Sequence, residues 1–331
     1  MPKASKRASA SKWLEMHLFG LEYLSAEEIT EVLDLADKYR PAAIDTSTRL
    51  GTLNGKAVLN LFMEPSTRTA ISFAIAAERC GASVINFAKE SSSTKKGETL
   101  IDTARNIEAM GIDTIVIRHS ASGAPQLLSR VTACSIVNAG DGRHEHPTQG
   151  LLDILTMRQA KGRIKGLEVA VVGDIANSRV ARSNLWGLKK LGAQVTFIGP
   201  PTMLPKTFEK FGARVVYDFD SVLGEFDVIN MLRIQFERQT DAPIPSVREY
   251  SKLYALTEER LERTKKDCLV MHPGPINRGV ELPSTVADGL RSVIIPQVSN
   301  GVAVRMAVLT LVNRVRDEKI KSGELDVPSK R

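Results

Sequence analysis

Strand-length apolar runs alternate with helix-length amphipathic stretches, which predicts an α/β fold of two domains, each a parallel sheet flanked by helices. Two further observations point the same way. The alternating series starts afresh after Gly162, and a chain of 331 residues that is 43% apolar and 25% charged has the length for about two domains at ~150 residues each. With 23 glycines and 15 prolines, the composition excludes collagen-like and low-complexity chains.

The first twelve residues, MPKASKRASASK, carry Lys3, Lys6, Arg7 and Lys12 before the first acid, Glu15. They supply +4 of the formal +7 (45 basic minus 38 acidic), so the body carries only +3 and shows no global field for nucleic acid. The stretch has the basic, Ser- and Ala-rich look of a transit peptide without an apolar stripe, so residues 1–13 are expected to be a disordered basic tail. Cys80, Cys134 and Cys268 lie far apart with no CxxC, which argues against disulfides or a zinc site and fits a reducing, cytoplasmic setting. The longest apolar stretch, Val298 to Val312, contains Asn300 and Arg305, so no membrane span is expected.

SAEEITEVLDLADKYR (25–40) opens with Ser25 and Glu28 in capping-box spacing and predicts a helix. Strands are predicted at 56–63, 83–87, 113–119 and 135–140, with helices at 66–80 and 98–110 between them. A helix at 147–162 leads to a second series of strands at 167–174, 194–200, 213–218, 227–232 and 267–273. A last helix, 301–319, is apolar on most of its surface and is expected to pack across both domains. The expected domains are 14–148 with 300–331, and 149–299, the C-terminal helix packing back onto the first.

The sharpest local signal is NLFMEPSTRTAISFAIAAERCG (60–81). A buried strand ends at Met63 and a helix starts near Ser66, so the free N–H groups of its first turn, with Thr67, Arg68 and Thr69, form an anion cradle without a Walker lysine. Taken alone, a merely capping Ser66 and a solvated Arg68 fit as well. In RHEHPTQG, His146 and Gln149 stand three apart at a helix start, both able to face the crevice beyond a strand's carboxyl end. His144 reads as a surface neighbour rather than a metal ligand. Arg118, Arg179 and Arg233 follow strands and, singly, fit surface charges; together with Arg68 they imply an anionic substrate set. The polar loop SSSTKKGETL (91–100) fits a lid or plain solvated surface, and the turn at Pro273, Gly274 and Pro275 can present backbone carbonyls. VVGDIAN (171–177) lacks GxGxxG, which disfavours a nicotinamide cofactor.

These segments together resemble the carbamoyltransferase family over about residues 14–316. The resemblance rests on EPSTRT (64–69), KKGETLIDT (95–103), RH (118–119), HPTQGLLD (146–153), GDIANSRVARS (173–183), MLRIQFER (231–238), HPGPINRGVE (272–281) and QVSNGVAVRMAVL (297–309). Ornithine enzymes carry a cysteine in an HCLP turn where this chain has Gly274, so the resemblance is to the aspartate-accepting branch. It implies a transferase of pyrimidine biosynthesis, moving the carbamoyl group from carbamoyl phosphate to the amine of L-aspartate. Residues 14–148 with 300–331 would then bind carbamoyl phosphate, and 149–299 aspartate.

The resemblance assigns Ser66, Thr67, Arg68 and Thr69 to the phosphate, Arg118 to phosphate and carbonyl, and His146 to the carbamoyl oxygen. It gives the amide nitrogen to Gln149 and to carbonyls of the Pro273, Gly274, Pro275 turn, and the aspartate carboxylates to Arg179, Arg233 and Gln235. Ser92 and Lys96 match a loop lent to the neighbouring subunit's site, which implies a homotrimer with shared sites. Among these, Arg68, Thr69, Lys96, Arg118 and His146 would be catalytic, with no metal or cofactor. The resemblance also allows a regulatory or dihydroorotase-like partner subunit. The DAPIPSVREY segment (241–250) departs from the family pattern.

Overall fold

The computed structural model describes residues 11–88, 99–234 and 246–327. In chain order the helices are α1 (Ala26–Ile44), α2 (Thr67–Cys80), α3 (Leu100–Ala109), α4 (Ala124–Ser129), α5 (Pro147–Lys161), α6 (Arg179–Lys190), α7 (Val247–Tyr254), α8 (Glu258–Glu262), α9 (Ser284–Ala287) and α10 (Ile294–Ser322). The strands are β1 (Ala57–Phe62), β2 (Ser83–Ala88), β3 (Thr114–His119), β4 (Ser135–Asp141), β5 (Glu168–Val172), β6 (Gln194–Ile198), β7 (Arg214–Val216), β8 (Val228–Met231) and β9 (Leu269–Met271).

Two parallel sheets result, a four-stranded one in the order β2-β1-β3-β4 and a five-stranded one in the order β7-β6-β5-β8-β9. Their central strands are buried on both faces, as helix-covered parallel sheets require: Leu59 of β1 lies opposite Ile85 and Ile115, and Val171 of β5 opposite Phe197 and Asn230. In α1, the Ser25 side chain accepts from Glu28 N–H while the Glu28 carboxylate accepts from Ser25 N–H, so the predicted capping box is present.

Strand ends differ from the sequence boundaries by at most two residues, because residues such as Asp174 and Pro273 continue the chain past the last ladder bond. The last helix differs more. It begins at Ile294 rather than Gly301, and Gly301 is an internal packing position, where a β-carbon would stand 3.2 Å from Leu152 Cδ2 and against Arg305 Nη1. The expected boundary at 299/300 therefore falls inside one continuous helix. By length and composition α10 could cross a membrane, yet 67% of its most apolar window is buried against protein, with α1, α2 and α5 around it.

Residues 12 and 13, the last two of the expected tail, are packed against the body of the protein. Trp13 is buried at 1% exposure, and its N–H, with that of Lys12, donates to the Glu31 carboxylate of α1. An indole at position 13 has enough apolar area to anchor the segment. The three cysteines are free and buried.

Candidate active site

A cavity of about 460 Å³ opens between the carboxyl ends of the two sheets, where doubly wound folds bind ligands. Ser66, Thr67, Arg68, Thr69, Arg118, His146, Gln149, Arg179, Arg233, Pro273, Gly274 and Pro275 all line it. Of the expected site residues, Ser92, Lys96 and Gln235 lie outside the described residues, as does 241–245 of the divergent loop.

The first wall comes from the β1–α2 connection. Ser66 occupies the N-cap position but makes no side-chain capping bond, contrary to the simple capping reading, and its backbone at ψ 75° turns away from the usual capping geometry. The leading N–H groups of α2 have no partner within the helix, so this end presents donors and the positive pole of the helix dipole to the cavity. Arg68, in the same turn, keeps part of its surface exposed; partial desolvation, then the nearby Arg233 guanidinium, lower its pKa.

Arg118 stands at the end of β3, opposite a break in register. Ile117 pairs with Asn138 and His119 with Asp141, so Ala139 and Gly140 together oppose the single residue Arg118. Arg118 Nη1 donates to the Ala139 carbonyl at 3.1 Å. Gly140 sits at φ +116°, and a β-carbon there would lie 3.0 Å from Arg179 Nη1 and 3.3 Å from Arg118 Nη1. Only glycine both accepts that backbone and lets two guanidinium groups approach.

Glu64 ties these arginines together: its Oε2 is 2.7 Å from Arg179 Nη2 and 3.4 Å from Arg118 Nε. Because Glu64 precedes α2 and Arg179 begins α6, the pair joins the two sheets' helices. Arg233, after β8, donates through Nε to Asn277 Oδ1 at 3.4 Å.

His146 takes the N-cap position of α5, and its backbone N–H donates to Ser183 Oγ at 2.9 Å. Ser183 Oγ in turn donates to Glu145 Oε2 at 2.7 Å. The imidazole is 5% exposed, and its Nδ1 has no hydrogen-bond partner among the described residues. Burial, then the Arg118, Arg305 and Arg179 charges, hold its pKa well below the ordinary histidine value, so the ring is neutral. Gln149, one turn on, donates Nε2 to Asp153 Oδ1 at 2.9 Å.

The floor is the turn after β9. His272 Nδ1 accepts from Gly274 N–H at 2.7 Å, and its Nε2 lies 3.2 Å from Glu281 Oε1, which fixes the ring between two partners. Gly274 has φ +66° and the Gly274–Pro275 peptide is cis.

The residues alone did not single out Glu64, Asp153 or Arg305. Arg305 of α10 is fully buried, donates Nη1 to Ser72 Oγ at 2.7 Å, and lies 5.0 Å from the Phe73 ring centroid; burial lowers its pKa to about 10. The signal available was a lone arginine inside an apolar helix run. His144 is also not a plain surface neighbour: its Nδ1 is 3.0 Å from Asp141 Oδ1, and that bond raises its pKa. Glu22, His144 and Glu145 offer ligand atoms within 4.8 Å of one another, but both Glu145 oxygens already accept from Leu21 N–H, Glu22 N–H and Ser183 Oγ.

The described lining thus contains five arginines and one carboxylate, Asp174, around two histidines whose pKa values are lowered by burial. Such a lining suits small polyanions, and its groups can stabilise charge on a carbonyl oxygen and on a departing phosphate.

Residues 16–159 match the carbamoyl-P binding domain, and residues 165–312 the Asp/Orn binding domain, of aspartate/ornithine carbamoyltransferase. The chain is 54% identical over 297 residues to the aspartate carbamoyltransferase catalytic subunit of Syntrophotalea carbinolica, covering 90% of this chain and 95% of that one. To the subunit of the same name from Myxococcus xanthus it is 55% identical, over 88% of this chain and 98% of that one. A crystal structure of aspartate transcarbamoylase from Trypanosoma cruzi in complex with carbamoyl phosphate and aspartate superposes with a TM-score of 0.81 at 32% identity, covering 90% and 97% of the two chains. Ornithine carbamoyltransferase from Pyrococcus furiosus superposes at 0.79 with 28% identity, over 89% and 96%.

Proposed function

The chain belongs to the aspartate/ornithine carbamoyltransferase family, and we propose that it transfers the carbamoyl group of carbamoyl phosphate to the α-amine of L-aspartate, giving N-carbamoyl-L-aspartate and phosphate for pyrimidine biosynthesis. The observation that carries this reading is the meeting of the α2 N-terminus, His146 and the arginines of both sheets in one cavity.

In this reading the phosphate sits on the first turn of α2, held by Ser66, Thr67, Arg68 and Thr69 and by Arg118. The carbonyl oxygen takes hydrogen bonds from Thr69, Arg118 and the N–H of neutral His146, and these strengthen as it becomes an oxyanion. The carbamoyl nitrogen donates to Gln149 and to carbonyls of the Pro273, Gly274, Pro275 turn. Arg179, Arg233 and Gln235 hold the aspartate carboxylates and bring the amine over the carbonyl carbon. The neutral amine forms the C–N bond, the tetrahedral intermediate breaks its C–O bond to phosphate, and the departing phosphate takes the amine proton. Holding the two anions side by side supplies much of the rest of the acceleration, and the chemistry needs no redox or covalent step on the protein.

The enzyme works as a cytoplasmic homotrimer in which Ser92 and Lys96 complete the neighbouring subunit's site. Support comes from two exposed apolar residues, Ile71 of α2 and Ile85 of the edge strand β2, 53% and 43% exposed, which a face between subunits would cover. A regulatory or dihydroorotase-like subunit would bind outside that face. The assay is direct: purified chain, carbamoyl phosphate, and L-aspartate or L-ornithine as acceptor. Carbamoyl aspartate is the expected product; a product with ornithine alone, or none, overturns the reading.

A further inference from the structure

Asp153 is completely buried on α5, one turn past Gln149, and does not line the cavity. Its oxygens gather side-chain amides from four elements. Oδ1 accepts from Gln149 Nε2 at 2.9 Å and from Gln297 Nε2 of α10 at 2.8 Å; Oδ2 accepts from Asn184 Nδ2 of α6 at 2.8 Å and from Asn230 Nδ2 of β8 at 3.3 Å. Burial raises its pKa to about 6 and these amide bonds oppose that rise, so the group is ionised at neutral pH.

The chemistry of the acceptor matters here. A carboxylate only accepts, so every amide that faces it must present nitrogen and point its oxygen away. For Gln297 the freed oxygen accepts from His272 N–H at 3.0 Å, the residue that also holds Gly274 N–H. For Gln149 the side chain lines the cavity, and its oxygen is the end left to face a ligand. We propose that Asp153 is a positioning residue of the carbamoyl site, imposing through its acceptor-only carboxylate the amide polarity of Gln149 toward the carbamoyl nitrogen and, through Gln297, the placement of the His272–Gly274 turn. The inference rests on the carbamoyl phosphate reading given above.

The test replaces Asp153→Asn, which keeps the shape but adds a donor to a ring of donors, and compares binding of carbamoyl phosphate with binding of inorganic phosphate. Carbamoyl phosphate affinity is expected to fall about tenfold, the effect of roughly one reversed hydrogen bond, and KM to rise alongside. Affinity for inorganic phosphate, set at the α2 N-terminus, stays within about twofold. Combined with Gln149→Ala, the two losses do not multiply. Equal weakening of both ligands, no weakening of either, or losses that multiply overturn the proposal. If the Asp153→Asn chain does not fold, Asp153→Ser is read the same way; if neither folds, Asp153 serves the fold alone and the proposal falls. A wild-type chain that binds no carbamoyl phosphate overturns the functional reading instead, so the two failures are distinct.

Discussion

Gly274 lies so close to the Arg68 guanidinium that a β-carbon on Gly274 would overlap Nη1. The two residues come from different sheets, one following β9 and the other opening α2. Their contact is where the turn meets the phosphate end of the cavity.

Gly274→Ala should therefore damage the site in two ways, by strain at φ +66° and by displacing Arg68. A drop of at least about tenfold in kcat/KM is expected, since positive-φ strain alone costs on the order of 1 kcal/mol and the overlap adds to it. Steady-state kinetics with carbamoyl phosphate varied would measure it, and wild-type values would mean that the turn yields freely.

Arg68→Ala should lower kcat by roughly 10²–10³, the range for losing a donor that stabilises developing charge. The fold should not suffer, because Arg68 is crowded by the positive charge of Arg233 and removing it relieves repulsion. Calorimetry should show an unfolding midpoint at or above that of wild type; a lower one would make Arg68 a structural residue.

His146 should stay neutral through the physiological range. Its pKa is lowered by burial and by Arg118, Arg305 and Arg179, so the folded protein binds fewer protons there than the unfolded chain once the pH drops below about 6.5. Nothing is contributed above that pH, and below it the folded state loses stability as the pH falls. NMR of the ring between pH 8 and 5.5 should show no titration; a midpoint near the ordinary histidine value would contradict the burial argument.

If sites are shared in a trimer, as proposed, chains inactivated by Lys96→Ala and chains inactivated by Arg68→Ala should regain partial activity when mixed and allowed to reassemble, because a mixed trimer would contain some sites with neither defect. Activity of the mixture after confirmed subunit exchange is the measurement. No recovery would place Lys96 in its own subunit's site.

Much of the fold was legible because it is written in local patterns: the strand cores of β1, β3 and β5, the capping box of α1, and the turn that opens α2. Arg68, His146 and Gln149 stood out for the same reason, each close to a helix start. What escaped was set by distance in the chain. Glu64 was visible beside STRT, but its partner Arg179 is 115 residues away. Asp153 drew no reading of its own from the sequence, and of its four amide partners only Gln149 is local; Asn184, Asn230 and Gln297 stand 31, 77 and 144 residues away. Trp13 was misread because a basic, Ser- and Ala-rich run precedes it, while its backbone is held by Glu31 of α1 and Arg314 of α10, both distant in the chain.

Five arginines line the cavity against two carboxylates, Asp174 in the lining and Glu64 beside it, so positive charge is in excess there. Any small multivalent anion that settles there relieves the repulsion, and binding to the native form alone stabilises it by mass action. The heat resistance of this protein is accordingly a property of its buffer as much as of its sequence. Storage in phosphate or pyrophosphate, rather than in a chloride medium of equal ionic strength, should prolong its working life.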